Sequence, residues 1–487
     1  MISTEKIGII DLGSNSSRLV IYEVFADGAY QAVFEMKQNL QLAKDMAKDG
    51  SIPSSSLTRA IACTKLFARA GSLHGVTRWI AVATAAVRQA VNQAQVLTLV
   101  KEQTGLSFRV LDEYEEGRYG YLGVINTLDF ADALLFDIGG ASTELVLVRN
   151  RELINVTSLP FGSLNLSEMF RDVPDPTQGE KAMAFMTKQF ADVTWLDDAK
   201  GLPLIGLGGT ARAMAKLSRE PSFLGRIQRL HGMPVTVQSV HTAFNTLKAM
   251  GLEKRRKVKG LSKNRAQILV PGLAAIVALI ERTSAMDMVI SRNGLREGLF
   301  YAYLLRNEAR PVVASVLDHS IANLQKLYHV NLDVTTMVTQ TALHLFDELQ
   351  TIHHLGQRER RLLRVTAEIE GAGYYINTEK SNRHSAYLTL NAHLYGLEHS
   401  ELQDVALLLE GKGSRVLTRL LLLIRLAKLL TLQIGLNPDQ LHCHLNKGKL
   451  EVGRAFQIEE TVHSFADADL AQDFFKLFDV ALVYLEV

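Results

Sequence analysis

Apolar and polar positions alternate along the first part of the chain in short runs that predict strands folded back on one another. Ile7–Ile10 and Leu19–Phe25 are apolar-rich, and Asp27-Gly28 separates the second run from Tyr30–Met36. Strand-forming runs split by turn residues predict a three-stranded meander. A helix follows from about Ser54 to Ala70, then a strand at Arg78–Ala83, a helix near Ala86 and another over Gln93–Glu102. Strand Phe108–Leu111 leads into a helix from about Glu113 to Thr127. The pattern then starts again: Leu134–Asp137, Glu144–Val148 and Leu153–Ser158 predict a second meander, and strands and helices alternate to about Asn307. From Val312 to Leu436 apolar residues recur at three- and four-residue spacing, which predicts helices throughout. The remainder has short alternating runs at Lys449–Val452 and Val480–Glu486 around a helix near Ala471–Phe478. It reads as a small α+β element.

The two meanders share a phrase. Residues 11–20 read Asp-Leu-Gly-Ser-Asn-Ser-Ser-Arg-Leu-Val, and residues 137–146 read Asp-Ile-Gly-Gly-Ala-Ser-Thr-Glu-Leu-Val. Each phrase is strand, acidic Gly/Ser turn, strand. Such a turn offers backbone N–H groups and hydroxyls without bulk, so it can wrap a phosphate closely. Its Asp can hold a divalent cation through hard oxygen. One turn alone is weak support, because Asp and Gly are ordinary hairpin residues. Two in register suggest a clamp that grips a phosphate chain and its metal from both sides. The expected architecture is α/β in two equivalent halves with a cleft between them, then an all-α domain and the small α+β element. The expected boundaries are 1–127, 128–310, 311–438 and 439–487.

Composition narrows the class. The chain has 487 residues, 47% hydrophobic and 21% charged, with a formal net charge of +2. That length suits about three domains, and near-neutrality gives no global field for nucleic acid. Cys63 and Cys443 are far apart in sequence and make no disulfide framework, which favours a reducing compartment. Strand pattern begins by Ile7, too early for a signal peptide. The most apolar helix, Leu417–Leu432, carries Arg419, Arg425 and Lys428, too many charges for a membrane span. A cytoplasmic enzyme is expected.

Four further segments carry candidate chemistry. Asp112 to Arg118 (Asp-Glu-Tyr-Glu-Glu-Gly-Arg) follows a strand and opens a helix. First-turn carboxylates suit the helix dipole, but one at a strand end can also serve as general base. Arg88 closely follows strand Arg78–Ala83 and reads either as a solvated residue or as a phosphate clamp. Gly206 to Thr210 lies between strand Pro203–Ile205 and helix Ala211–Leu217, where glycines let phosphate oxygens reach a helix N-terminus. Lys254, Arg255, Arg256, Lys257, Lys259, Lys263 and Arg265 form a basic run. Such a run is usually a solvated loop, but beside a polyanion site it could guide substrate.

With these segments the chain resembles the exopolyphosphatase / guanosine pentaphosphate phosphohydrolase family of the sugar-kinase, heat-shock-chaperone and actin superfamily. The resemblance runs from about Ile7 to Tyr303. It rests on the paired turns, Val87-Arg88-Gln89-Ala90, Glu115-Glu116-Gly117-Arg118, Gly206 to Thr210 and Leu295-Arg296-Glu297-Gly298. The family usually has glycine where this chain has Ala141. The resemblance implies two actin-like (ribonuclease H-like) halves, with Glu116 as the base that deprotonates water. It implies Asp137 and Glu144 as holders of Mg2+, faced by Asp11. Ser14, Asn15, Gly139, Gly140, Ser142, Gly208, Gly209 and Thr210 would cradle phosphates, with Arg88 as charge clamp.

The helical domain resembles the family's HD-like phosphohydrolase domain, yet it departs at the metal pair. Glu370 and Gly371 stand where His and Asp are needed, and Glu410-Gly411-Lys412-Gly413 replaces a later Tyr-His-Arg. Without imidazoles a transition-metal site is not expected. A structural role follows, in dimerisation, in closing the cleft or in lining a path for the substrate chain. His353-His354 and His442-x-His444 read as lone surface pairs. The leading expectation is an exopolyphosphatase that removes terminal phosphate from inorganic polyphosphate, as a homodimer that binds neither membrane nor nucleic acid. Guanosine pentaphosphate hydrolysis at the same site is the alternative. A superfamily kinase ranks lower, because Glu-Glu-Gly-Arg after the strand speaks against it, and a nucleotide-gated scaffold with slow, partner-linked ATP turnover is the non-catalytic option.

Overall fold

The computed structural model describes residues 3–47, 49–218, 229–433, 442–453 and 468–484. Two compact units divide at Val316/Leu317.

The first unit holds two sheets, and each begins with a meander. In the first, β1 (Ser3–Leu12), β2 (Ser16–Phe25) and β3 (Tyr30–Asn39) are antiparallel neighbours, while β4 (Arg78–Ala83) and β5 (Arg109–Val110) extend the sheet in parallel from β1. The second repeats the plan. Strands β6 (Ala133–Ile138), β7 (Thr143–Arg149) and β8 (Glu152–Leu159) form the meander, and β9 (Leu204–Leu207) and β11 (Asp287–Ile290) run parallel to β6. Strand β10 (Met233–Thr236) closes the edge antiparallel to β11. These are the two actin-like halves expected from the repeat.

Each sheet buries apolar side chains against helices. Ile10, Leu12, Leu19 and Ile21 pack against the helix Ser54–His74 through Ile61 and Phe67. In the other half, Leu134, Phe136 and Leu145 belong to a core with the nearly all-apolar helix Leu269–Thr283. The helix Leu295–Leu304 returns to the first half, where Phe300 stacks on Tyr22 at 3.9 Å between ring centroids. It also crosses the helix Glu113–Ile125 so closely that a Cβ on Gly298 would collide with the Tyr119 carbonyl. This contact explains the Leu-Arg-Glu-Gly motif, in which Glu297 also caps the helix by accepting the Gly294 N–H at 2.8 Å.

The second unit is helical to Gln433 among its described residues, as the three- and four-residue spacing requires. A small sheet follows, with β12 (His442–Asn446) antiparallel to β13 (Lys449–Gly453) and β14 (Ala481–Tyr484) parallel to β13, joined by the helix Ala468–Phe478. Strand β12 was missed in the sequence, where its polar residues hid the pattern. No helix among the described residues is long and apolar enough to cross a membrane.

Candidate active site

The repeated phrase builds two matching hairpins whose turns line one cleft. In the first, Asp11 pairs across the ladder with Arg18; in the second, Asp137 pairs with Glu144. Directly opposed residues on an antiparallel pair share a sheet face, so all four side chains can face the cleft they line.

The turns present backbone N–H groups to the cleft. Among the described hydrogen bonds, the N–H groups of Ser14 and Asn15, and of Gly140 and Ala141, have no acceptor within the protein. The carbonyls of the second turn are occupied instead. Gly139 accepts from Ser163 N–H and hydroxyl (both 2.9 Å), Gly140 from Leu164 N–H (2.9 Å) and Ala141 from Asn165 Nδ2 (3.1 Å). Ser14 Oγ accepts from Ala86 N–H at 3.2 Å, which leaves its own proton to donate. A third receptor is the N-terminus of the helix Gly208–Leu217, whose first N–H groups lack helical partners. Gly208 takes a φ of +71°, and a Cβ there would strike the Asp137 carboxylate. A Cβ on Gly209 would strike the Arg265 guanidinium. Both glycines permit charged groups to approach the helix end.

Charge in the cleft is crowded in two clusters. Asp11, Glu116, Asp137 and Glu144 all line it. Burial raises Asp11 and Asp137, and raises Glu144 well above the usual carboxylate range, with the charges of Glu116 and Asp137 adding to the last. Burial likewise lifts Glu116 to about 7, assisted by Asp11 and Asp137 and opposed by Arg88. The cationic cluster is Arg18, Arg212 and Arg265. Burial and mutual repulsion lower all three, Arg212 to about 9. Repelling carboxylates are relieved by a cation, and repelling guanidiniums by an anion. Among the described residues no three His, Cys, Asp or Glu side chains converge on a single ion position. Asp11, Asp137 and Glu144 offer carboxylate oxygens, the donor type that suits a hard cation such as Mg2+.

Glu116 is distinct from its neighbours in the acidic segment. Asp112 and Glu115 form a reciprocal cap on the helix, and Glu115 also pairs with Arg109. Glu116 points elsewhere: its Oε2 accepts from Arg88 Nη1 at 2.8 Å, and among the described residues no donor is found on Oε1.

Two expected residues lie off the cleft wall. Arg88 also donates to the Leu111 carbonyl at 2.9 Å, so it steadies Glu116 from behind, while its buried Nη2 has no hydrogen-bond partner among the described residues. Thr210 is buried, and its hydroxyl donates to the Ile138 carbonyl at 3.2 Å, tying the third receptor to the second turn. Ala141 is buried as well and is not among the lining residues, so its methyl does not crowd the receptor. The basic run also reads differently. Arg255 is buried on Asp175 at 2.8 Å and Arg256 pairs with Glu253, so of the run Arg265 alone lines the cleft. Sequence reasoning missed Arg18 and Arg212 as site residues. Arg18 could have been found from the repeat, since it occupies the position matching Glu144.

A family model described as the Ppx/GppA phosphatase family matches residues 20–307, and a second, for domain III of that family, matches residues 316–452. The chain belongs to the Ppx/GppA phosphatase family. It is a phosphoanhydride hydrolase. Among solved structures it is similar to the Ppx/GppA family member of Aquifex aeolicus, at 28% identity over 63% of this chain and 99% of that one, with a TM-score of 0.54. A second structure of the Aquifex aeolicus enzyme gives 29% identity, 61% and 98% coverage and a TM-score of 0.53. An exopolyphosphatase from Cytophaga hutchinsonii shares the fold at 21% identity, 63% and 100% coverage and a TM-score of 0.56.

In the helical unit, Ppx/GppA domain III carries an ion pair at its degenerate position. Lys428 Nζ donates to Glu370 Oε1 at 2.9 Å, and Ser385 Oγ donates to the Glu370 carbonyl. An ammonium thus meets the carboxylate where the resemblance implies a metal pair. His353 is structural too: it is buried, bonded to the Phe346 carbonyl at 2.8 Å, and lowered chiefly by burial.

Proposed function

We propose that this enzyme is an exopolyphosphatase that cuts the terminal phosphate from inorganic polyphosphate by attack of a water activated by Glu116. The observation that carries this reading is the pairing of a poised carboxylate near neutrality with backbone anion receptors on both sides of it. Peptide N–H groups of Ser14, Asn15 and Gly140 and the helix end at Gly208 hold the non-bridging oxygens. Arg18, Arg212 and Arg265 balance the charge of the chain. Arg88 fixes the Glu116 carboxylate so that Oε1 faces the attacking water. As the water oxygen bonds to the terminal phosphorus, its proton passes to Oε1. The bridging P–O bond breaks with its electrons left on the shortened chain, and orthophosphate departs. Mg2+ held by Asp137 and Glu144, with Asp11 opposite, would neutralise charge developing on the phosphate oxygens.

Guanosine pentaphosphate presents the same terminal phosphoanhydride and is the second substrate to consider. Phosphate release from long polyphosphate, guanosine pentaphosphate and ATP, compared with Mg2+ present, tests the reading. Polyphosphate should give the highest kcat/KM. Preference for guanosine pentaphosphate moves the enzyme to the alternative substrate, and turnover of ATP alone overturns both.

A further inference from the structure

Beyond the cleft lies a second chamber, which shares Asn15, Arg265 and Ile268 with it. Its own wall is formed by the end of β3 and the loop after it, Lys37, Asn39, Gln41 and Lys44, facing Ser262 and Asn264. We propose that this chamber binds the inner phosphates of a linear oligophosphate whose end is being cut in the cleft, with Lys37 as the residue that favours long chains. The inference rests on the polyphosphate reading above and names a site for the part of the substrate that does not react.

Three observations carry it. The first is chemistry: beside Leu164 and Ile268 the wall presents amide, hydroxyl, ammonium and guanidinium groups, which bond phosphate oxygens, and it offers no aromatic ring on which a base could stack. Its one carboxylate, Glu168, is already paired with Arg171. The second is charge. Lys37 has no carboxylate partner among the described residues, and it faces the field of Arg18, Arg265, Arg212 and Arg296. Partial burial and those guanidiniums lower its ammonium to about 8. A polyanion lying in the chamber relieves that repulsion.

The third is the backbone. Leu40 and Gln41 N–H groups both donate to the Asn15 carbonyl at 3.0 Å, and Ala43 N–H donates to the Ser14 carbonyl at 3.0 Å. Gln41 is held there at a φ of +57°, a conformation that a side-chain-bearing residue rarely takes. The chamber wall is thereby fastened to the phosphate turn of the cleft. Strain of this kind, held in place by its surroundings, is common where a ligand is positioned.

The test compares KM for long polyphosphate and for tripolyphosphate in the full-length enzyme. Lys37→Gln should raise KM for the long chain about tenfold, the scale of one charge-assisted contact, and raise it much less for tripolyphosphate. Lys44→Gln, on the same wall, should act in the same sense. The salt dependence of the long-chain KM should flatten by about one counterion per lysine removed. Lys37→Arg should restore most of the long-chain affinity, which a merely structural role would not require. If Lys37→Gln shifts both lengths equally, or neither, the chamber is not a substrate site although the hydrolase reading stands. If the unaltered enzyme releases no phosphate from polyphosphate, the substrate reading fails first and takes this inference with it.

Discussion

The two hairpins of the cleft are the same construction with opposite partners. Both present an Asp at the end of the first strand and a turn with two free N–H groups. Across the ladder, Asp11 meets a guanidinium and Asp137 meets a second carboxylate. One substitution at the equivalent position thus divides the labour. The first hairpin adds positive charge for the phosphate chain, while the second concentrates negative charge beside Glu116, where a cation and a water are needed. Glu144 feels that neighbour directly, since Glu116 is the largest charged contributor to its raised value. Two copies of one hairpin thus give the cleft two turns with free backbone N–H groups, one beside a guanidinium and one beside a carboxylate.

The largest expected effect is at the reactive end. Glu116→Gln should cut kcat by about 10²–10⁴-fold, the usual loss of a positioned general base, while polyphosphate binding measured directly stays near that of the unaltered enzyme. A variant that keeps more than about a tenth of normal turnover removes Glu116 from the role.

The next pair compares the hairpins head to head. Glu144→Gln should raise the Mg2+ concentration for half-maximal rate by about 10–100-fold, as loss of a ligand-shell group does. Arg18→Gln should leave that concentration nearly unchanged and raise KM for polyphosphate by about tenfold or more, since bonds to charged groups contribute about 1.5–3 kcal/mol. If both variants act on the same parameter, the division of labour is wrong.

A smaller effect lies in the pH profile. Glu116 accepts a proton only when ionised, and its folded-state value is raised to about 7. Below that value kcat/KM should fall by about tenfold per pH unit, and above it the rate should level off. Added cation stabilises the carboxylate, so higher Mg2+ should move this acid limb to lower pH. A rate that is flat from pH 5 to 8 contradicts a base with this environment.

The strands and the repeated phrase were legible because period-two patterning and Gly/Ser turns are local properties. The placement of Glu116 at the cleft was legible through its position after a strand. What failed were partners distant in sequence. Arg255 looked like part of a solvated run, because nothing near it in the chain shows Asp175, 80 positions earlier, holding it in the interior. Arg88 was read as a phosphate clamp, and what the sequence did not show is that its guanidinium also pairs with Glu116, 28 positions later. Thr210 sat in a glycine-rich loop and was read as a ligand, although the Ile138 carbonyl claims its hydroxyl. Arg18 needed the strand register. Local pattern yields the elements and the turns; which charges are spent on each other is decided by tertiary pairing.

The smallest effect sharpens the comparison of the turns themselves. Ala141 breaks the glycine pattern of the second turn, at the position matching Asn15 in the first. It has no left-handed φ, is only 4% exposed and is absent from the cleft wall. The methyl should therefore serve stability and not catalysis. Ala141→Gly should leave kcat and KM within about twofold, while lowering stability by about 0.4–1 kcal/mol through the freer unfolded chain, with loss of the buried methyl adding to that. Both follow from thermal or urea unfolding beside an ordinary rate assay. A marked gain in phosphate affinity with glycine would mean that the methyl does crowd the receptor, and that the two turns are less alike in use than in geometry.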